Sequence, residues 1–131
     1  MQNLRIQTLP SLSFNGVETS ILRLDEWHPV VSGNKWFKLR YYLEDAATRK
    51  AETIATFGGA YSNHLVATAF AVRQAGLKSI GYVRAEMNEH AGPTLMQCRE
   101  YGMELRPIGR EAYSSRNELM KDDGKGIYWI P

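Results

Sequence analysis

From Glu52 onward the chain alternates short runs rich in β-branched and aromatic residues with longer stretches of helical periodicity. That rhythm constrains the fold more than any other feature, because repeated strand-helix-strand units bury their apolar faces by forming a parallel sheet covered by helices. Thr53 to Phe57 reads as a short buried strand ending in Gly58-Gly59. Ser62 to Gly76 reads as a helix whose Leu65, Val66, Ala69, Phe70 and Val72 cover so wide a face that extensive burial is expected, with Gly76 as its stop. Ser79 to Arg84 is a second strand, and Gly92-Pro93-Thr94 opens a second helix that Gly102 closes. Glu104 to Ile108 is a third strand. Ser115 and Glu118 have capping-box spacing and predict a third helix ended by Asp122-Asp123-Gly124, before a fourth strand over Ile127 to Ile130. Right-handed crossovers place the four strands in one parallel sheet with helices on both faces, an α/β fold.

The first fifty residues follow a different pattern. Val17 to Leu24 reads as a strand, His28-Pro29 as a turn, and Asn34 to Lys50 as a helix on which Trp36, Leu39, Leu43 and Ala46 recur at helical spacing. Ser32 and Asn34 are its candidate caps. This divides the chain into 1–50, a strand and a lysine-bearing helix, and 51–131, a small α/β domain.

Composition excludes several classes of function. Sixteen basic residues balance fourteen acidic ones to a net charge of +2, with no block of like charge, so neither nucleic acid nor a membrane surface is indicated as a partner. A single cysteine, Cys98, has no internal disulfide partner, and no cysteine or histidine lies at metal-ligand spacing from it; no metal is expected, and a reducing, cytoplasmic setting is the simpler expectation. No apolar run approaches the roughly 20 residues that span a bilayer. Because the sequence stops at Pro131, immediately after a strand, where a ligand site of such a sheet would continue, it is expected to be an incomplete piece of a longer protein.

Two segments are not accounted for by folding alone. Ser32-Gly33-Asn34-Lys35-Trp36-Phe37-Lys38-Leu39 places two lysines three apart in the first turn of a helix. The positive end of the helix dipole disfavours an ammonium there, and the two lysines disfavour each other's charge, which favours the free amine that attacks a carbonyl carbon. A solvated lysine pair at a frayed helix end is the bland alternative. Phe57-Gly58-Gly59-Ala60-Tyr61-Ser62-Asn63-His64 lies between a strand and a helix. Its glycines permit close backbone approach, and the first helical amides with the Ser62 and Asn63 side chains form an anion site suited to a carboxylate. Here the bland alternative is a tight turn followed by a serine N-cap. His64 on its own carries little weight.

Together these segments resemble one family. SGNKWFKL is similar to the GGNKxxKL motif of the aminocyclopropane-carboxylate deaminase/D-cysteine desulfhydrase family, and FGGAYSNH to its GGxxSN loop. Leu22 to Glu26 loosely resembles the family's Lys-Arg-Glu-Asp strand end, and Tyr128 to Pro131 the segment before its next glycine-rich loop. The resemblance implies the two-domain fold of the tryptophan synthase β-like pyridoxal-phosphate enzymes, with pyridoxal 5'-phosphate as cofactor. It implies a deaminase or desulfhydrase, hydrolase or lyase, acting on 1-aminocyclopropane-1-carboxylate or D-cysteine, with a homodimer as the full-length form. Carried over by position, Lys35 matches the cofactor-anchoring lysine, Lys38 the second lysine near the cofactor phosphate, and Asn63 the asparagine that hydrogen-bonds the pyridine hydroxyl. Ser62 matches the active-site serine that contacts the substrate carboxylate, and His64 falls where the family often has Gln, as a further carboxylate contact. Lys35 and Ser62 are thus the implied catalytic pair. Ser32 replaces the first glycine of the motif, Trp36-Phe37 its common Thr-Arg pair, and Arg40 a usual glutamate.

A second reading, from another class, is a non-catalytic α/β domain that binds a small anion through the same loop. A dinucleotide-binding domain is disfavoured, since no G-x-G-x-x-G follows any strand.

Overall fold

Strands β3 (Thr53–Gly59), β4 (Lys78–Arg84), β5 (Met103–Ile108) and β6 (Ile127–Ile130) form one sheet in a computed structural model that describes residues 4–84, 92–121 and 126–131. Their order is β5-β4-β3-β6 and every pairing is parallel. Ahead of the sheet come a hairpin of β1 (Ile6–Thr8) and β2 (Ser20–Leu22) and then helix α1 (Lys35–Thr48). Helices α2 (Asn63–Gln74) and α3 (Pro93–Glu100) connect the first three sheet strands, and the short α4 (Arg110–Ser114) and α5 (Arg116–Leu119) precede β6.

Alternation along β3 decides what each face of the sheet receives. Ile54 packs with Ala67, Ala71 and Val72 of α2, with Leu39 and Ala46 of α1, and with Ile130 of β6. Further along, Leu65, Val66 and Ala69 of α2 pack with Leu95 and Cys98 of α3, Val83 and Met103. Helix α2 is therefore enclosed by α1, α3 and the sheet at once. Its run of alanines lets the neighbouring helices approach closely, and the breadth of its apolar face in the sequence reflects this enclosure. The opposite face carries Phe57, whose ring stacks on Trp129 with centroids 5.3 Å apart and lies 5.4 Å from Tyr82. Tyr113 of α4 meets Phe57 edge-on at 6.2 Å, so helices lie over both faces, as the sequence predicts.

Several local expectations are corrected. The strand over Val17 to Leu24 is confined to Ser20–Leu22, and its antiparallel partner Ile6–Thr8 was not anticipated. Phe14 bridges Val17 across a tight turn in which Asn15 and Gly16 both have positive φ, which ends the regular ladder early. Asn34 occupies the N-cap of α1 without a side-chain cap bond, and Ser32 makes none either. Gly33, with φ +67°, turns the chain into α1 and donates its N–H to the Leu24 carbonyl at 2.8 Å, a backbone conformation that favours glycine. The Ser115 capping box does not form. The Ser115 hydroxyl donates back to the Glu111 carbonyl at 3.1 Å, so the segment breaks into two short helices instead of one. The proposed stop at Asp122-Asp123-Gly124 lies outside the described residues.

The first sheet strand leaves no room above Gly58. A Cβ built there meets Leu65 Cγ at 2.6 Å and Ser62 Cβ at 3.0 Å, whereas one at Gly59 meets nothing within 4 Å. Gly58→Ala is expected to destabilise the fold by about 1–3 kcal/mol through overpacking, and Gly59→Ala to stay within about 0.5 kcal/mol. Chemical denaturation of the two variants measures this, and equal losses would show that α2 does not rest on β3 as described.

Candidate functional site

Strand order reverses beside β3: the chain leaves it through α2 toward β4 on one flank and comes back through α4 and α5 to β6 on the other. In open parallel sheets such a reversal leaves a crevice at the carboxyl ends of the strands. The Gly59 to Ser62 turn lies at that end of β3, closed by a hydrogen bond from the Ser62 N–H to the Gly59 carbonyl at 3.1 Å.

Ser62 is the N-cap of α2, its Oγ accepting from the Leu65 N–H at 3.4 Å. That bond is long for a cap, and the hydroxyl is half-buried. Asn63 is exposed at the first position of α2, and Tyr61 beside it is 84% exposed. Ser62 and Asn63 thus sit together with the first free amides of a twelve-residue helix, a set of donors suited to an anion.

His64 turns inward. Its Nε2 lies 2.9 Å from Thr56 Oγ1, and the Thr56 hydroxyl donates to the buried Ile130 carbonyl at 3.0 Å. These contacts join the middle of β3 and the end of β6 to the first turn of α2. Burial first, and the Lys35 ammonium second, hold His64 below the ordinary histidine range. Lys35, the half-buried first residue of α1, is therefore close enough for its charge to reach the ring. Lys38, three residues on, is exposed. Of the residues singled out in the sequence, Ser62, Asn63 and His64 share the first turn of α2, and the Lys35 charge is felt at His64. Trp36 packs against the main core, and Phe37 tilts against Trp27 at 6.1 Å.

Thr56 was not anticipated. The available signal was parity: Thr56 lies between Ile54 and Gly58 on the α2-facing side of an otherwise apolar strand, so its hydroxyl is buried and needs a partner. Cys98, also buried, has its thiol pushed up to about 11 by desolvation and takes no part in the crevice. Among the described residues no cluster of three or more His, Cys, Asp or Glu could hold a metal ion, and no helix is long and apolar enough to cross a membrane.

The donor set at the crevice can be compared with what a pyridoxal ring requires. An amine at Lys35 suits an aldehyde, the Asn63 amide suits a ring hydroxyl, and the Ser62 turn suits a carboxylate. These residues fit the aldehyde and hydroxyl end of such a group.

No family model matches the chain. It is 33% identical to a provisionally named 1-aminocyclopropane-1-carboxylate deaminase of Thermotoga maritima, over 96% of this chain and 43% of that protein. It is 38% identical to a protein of the same provisional name from Pyrococcus abyssi, over 96% of this chain and 40% of the relative. With the mitochondrial bifunctional D-cysteine desulfhydrase/1-aminocyclopropane-1-carboxylate deaminase of Arabidopsis thaliana it shares 34% identity, over 94% of this chain and 34% of that one. The crystal structure of an ACC deaminase homologue superposes with a TM-score of 0.74 at 30% identity, covering 98% of this chain and 41% of its own. A hydrogen sulfide-producing enzyme from Fusobacterium nucleatum superposes with a TM-score of 0.68, covering 97% of this chain and 42% of its own; at 16% identity that likeness concerns the fold alone. The chain spans less than half the length of the curated relatives it matches.

Because folding lowers the proton affinity of His64, the neutral ring contributes stability that is fully present above the unfolded value of about 6.5 and is lost as pH falls through the lower folded value. His64→Gln, which keeps a donor for Thr56, is expected to flatten the fall in unfolding midpoint between neutral pH and about pH 5. Thermal unfolding followed across that range reads it, and parallel curves for the two proteins would refute the assignment.

Proposed function

We propose that this chain, which is similar over nearly all of its own length to part of a 1-aminocyclopropane-1-carboxylate deaminase homologue and of a D-cysteine desulfhydrase/1-aminocyclopropane-1-carboxylate deaminase, is the lysine-bearing part of a pyridoxal-phosphate-dependent deaminase or desulfhydrase acting on a small amino acid. What supports this reading is that the Lys35 ammonium, at the start of α1, helps hold His64 of the Ser62-Asn63-His64 turn below the ordinary histidine range, although the two segments are distant in sequence. Pyridoxal phosphate, when bound, supplies an electron sink for a carbanion at the α-carbon of an amino acid.

The chain's own residues have separate duties in this reading. Lys35 provides the amine that holds the cofactor, placed by the first turn of α1 and partly withdrawn from water. Asn63 would offer its amide to the ring hydroxyl, and Lys38 would be the lysine nearer the phosphate. Ser62 and the first amides of α2 hold the substrate carboxylate and orient the carbon that loses its proton or its leaving group. The Ser62 hydroxyl is bound only by the long bond to Leu65 N–H and is free to turn toward substrate.

Two measurements test the reading. Borohydride reduction of the chain mixed with pyridoxal phosphate, followed by peptide mapping, is expected to place the pyridoxyl label on Lys35. Lys38, Lys50, Lys78 and Lys121 are all more exposed, so labelling by accessibility alone would favour them and would overturn the assignment. In a polypeptide of the relatives' length, Ser62→Ala is expected to lower kcat/KM by about 10²- to 10⁴-fold. Its loss of stability should be no more than about 1 kcal/mol, given the length of the cap bond. Near-normal kcat/KM with only a lowered melting temperature would reduce Ser62 to a cap.

A further inference from the structure

Two acceptors compete for one hydroxyl proton midway along β3. Thr56 Oγ1 is 3.0 Å from the Ile130 carbonyl and 2.9 Å from His64 Nε2. A carbonyl can only accept, and a threonine hydroxyl has a single proton to give. Ile130 is 1% exposed and Thr56 fully buried, and since the parallel register already gives the Ile130 carbonyl the Phe57 N–H, the Thr56 hydroxyl serves its second lone pair, which would otherwise go unserved in a dry place. With the hydroxyl committed to Ile130, the close contact with His64 is satisfied only when Nε2 carries a hydrogen and donates it to Thr56.

We propose that Thr56 is a positioning residue that fixes His64 as the neutral Nε2–H tautomer, leaving Nδ1 as the ring's one acceptor. The same selection by the hydrogen bond at the opposite nitrogen is how imidazole tautomers are generally set. Burial and the Lys35 ammonium both oppose an imidazolium, which supports the neutral form. The consequence is a division of labour along the turn. His64 has already spent its only ring N–H on Thr56 and does not donate to a carboxylate; an anion is left to Ser62, Asn63 and the amides of α2. What His64 offers is a lone pair, suited to an N–H donor of the amine class, which Lys35 or an amino-acid substrate would bring. The inference rests on the proposed function only for the identity of that donor. The tautomer itself follows from the contacts within the chain.

The test uses the chain labelled with ¹⁵N-histidine and long-range ¹H–¹⁵N spectra at neutral pH, with His64 assigned by its loss in His64→Gln. His28 serves as an internal standard, since its Nδ1 accepts from the Val30 and Val31 N–H groups at 3.1 Å and its neutral ring must carry the proton on Nε2. His64 is expected to show the same pattern, a protonated Nε2 and a bare Nδ1. Thr56→Ser, which retains the hydroxyl, should preserve it. Thr56→Val should shift the tautomer ratio about five-fold toward Nδ1–H, the worth of one hydrogen bond. A proton on Nδ1 in the unsubstituted chain, or a ratio that Thr56→Val leaves unchanged, overturns the proposal. Should Thr56→Val fail to fold, the unsubstituted chain and Thr56→Ser still decide the outcome. Because the spectra need no cofactor, this result and the mapping of label to Lys35 can fail independently.

Discussion

The close seating of α2 on β3 is the contact on which the rest of the molecule depends. Leu65 rests against the bare backbone of Gly58, and from that contact the helix runs between α1 and α3 with nearly every side chain from Leu65 to Val72 buried. Burial of that extent brings α1, which begins at Lys35, onto the same layer through Leu39 and Ala46. Were the helix lifted by the width of one methyl group, the Thr56 to His64 contact across the same gap would open. Packing and site geometry are thus set by one distance, because interiors are dense enough to transmit a shift of that size.

Much of this organisation was legible in the sequence, for reasons that can be stated. Parallel strands buried on both faces read as short apolar runs, and Ile54, Ala55 and Phe57 gave that signal directly. The helix from Ser62 was legible because its apolar residues cover more than one face, and the lysine motif and the Gly-Gly-containing turn could be placed on a helix start and a strand end. What could not be read were interactions that exist only after folding. Tyr128 donates to Asp45 at 2.7 Å across 83 residues, and no local pattern marks either residue as a partner. Thr56 and His64 are near in sequence, yet their contact depends on how α2 turns back over the strand. Ser115 shows the opposite error, where a favourable local pattern lost to a competing bond to Glu111.

The relatives and the ACC deaminase homologue structure each match nearly the whole of this chain, and this chain has a reversal of strand order beside β3. Lys35, Ser62, Asn63 and His64 come from the first turns of two helices, both held by the packing of α2. Thr56 adds a constraint that the motif does not contain, since it acts from the strand beneath.

The bond from Thr56 to the Ile130 carbonyl also has a kinetic meaning. It closes a span of 74 residues, whereas β3 and β4 are joined through a single helix. Closing a flexible loop costs about 0.6 kcal/mol more for each doubling of its length, and long-range pairing is correspondingly slow. As the chain leaves the ribosome, β3, α2 and β4 are complete long before β6 exists to join them. The crevice is therefore assembled in two stages, and until β6 docks the Thr56 hydroxyl has no carbonyl to serve and His64 has no fixed proton.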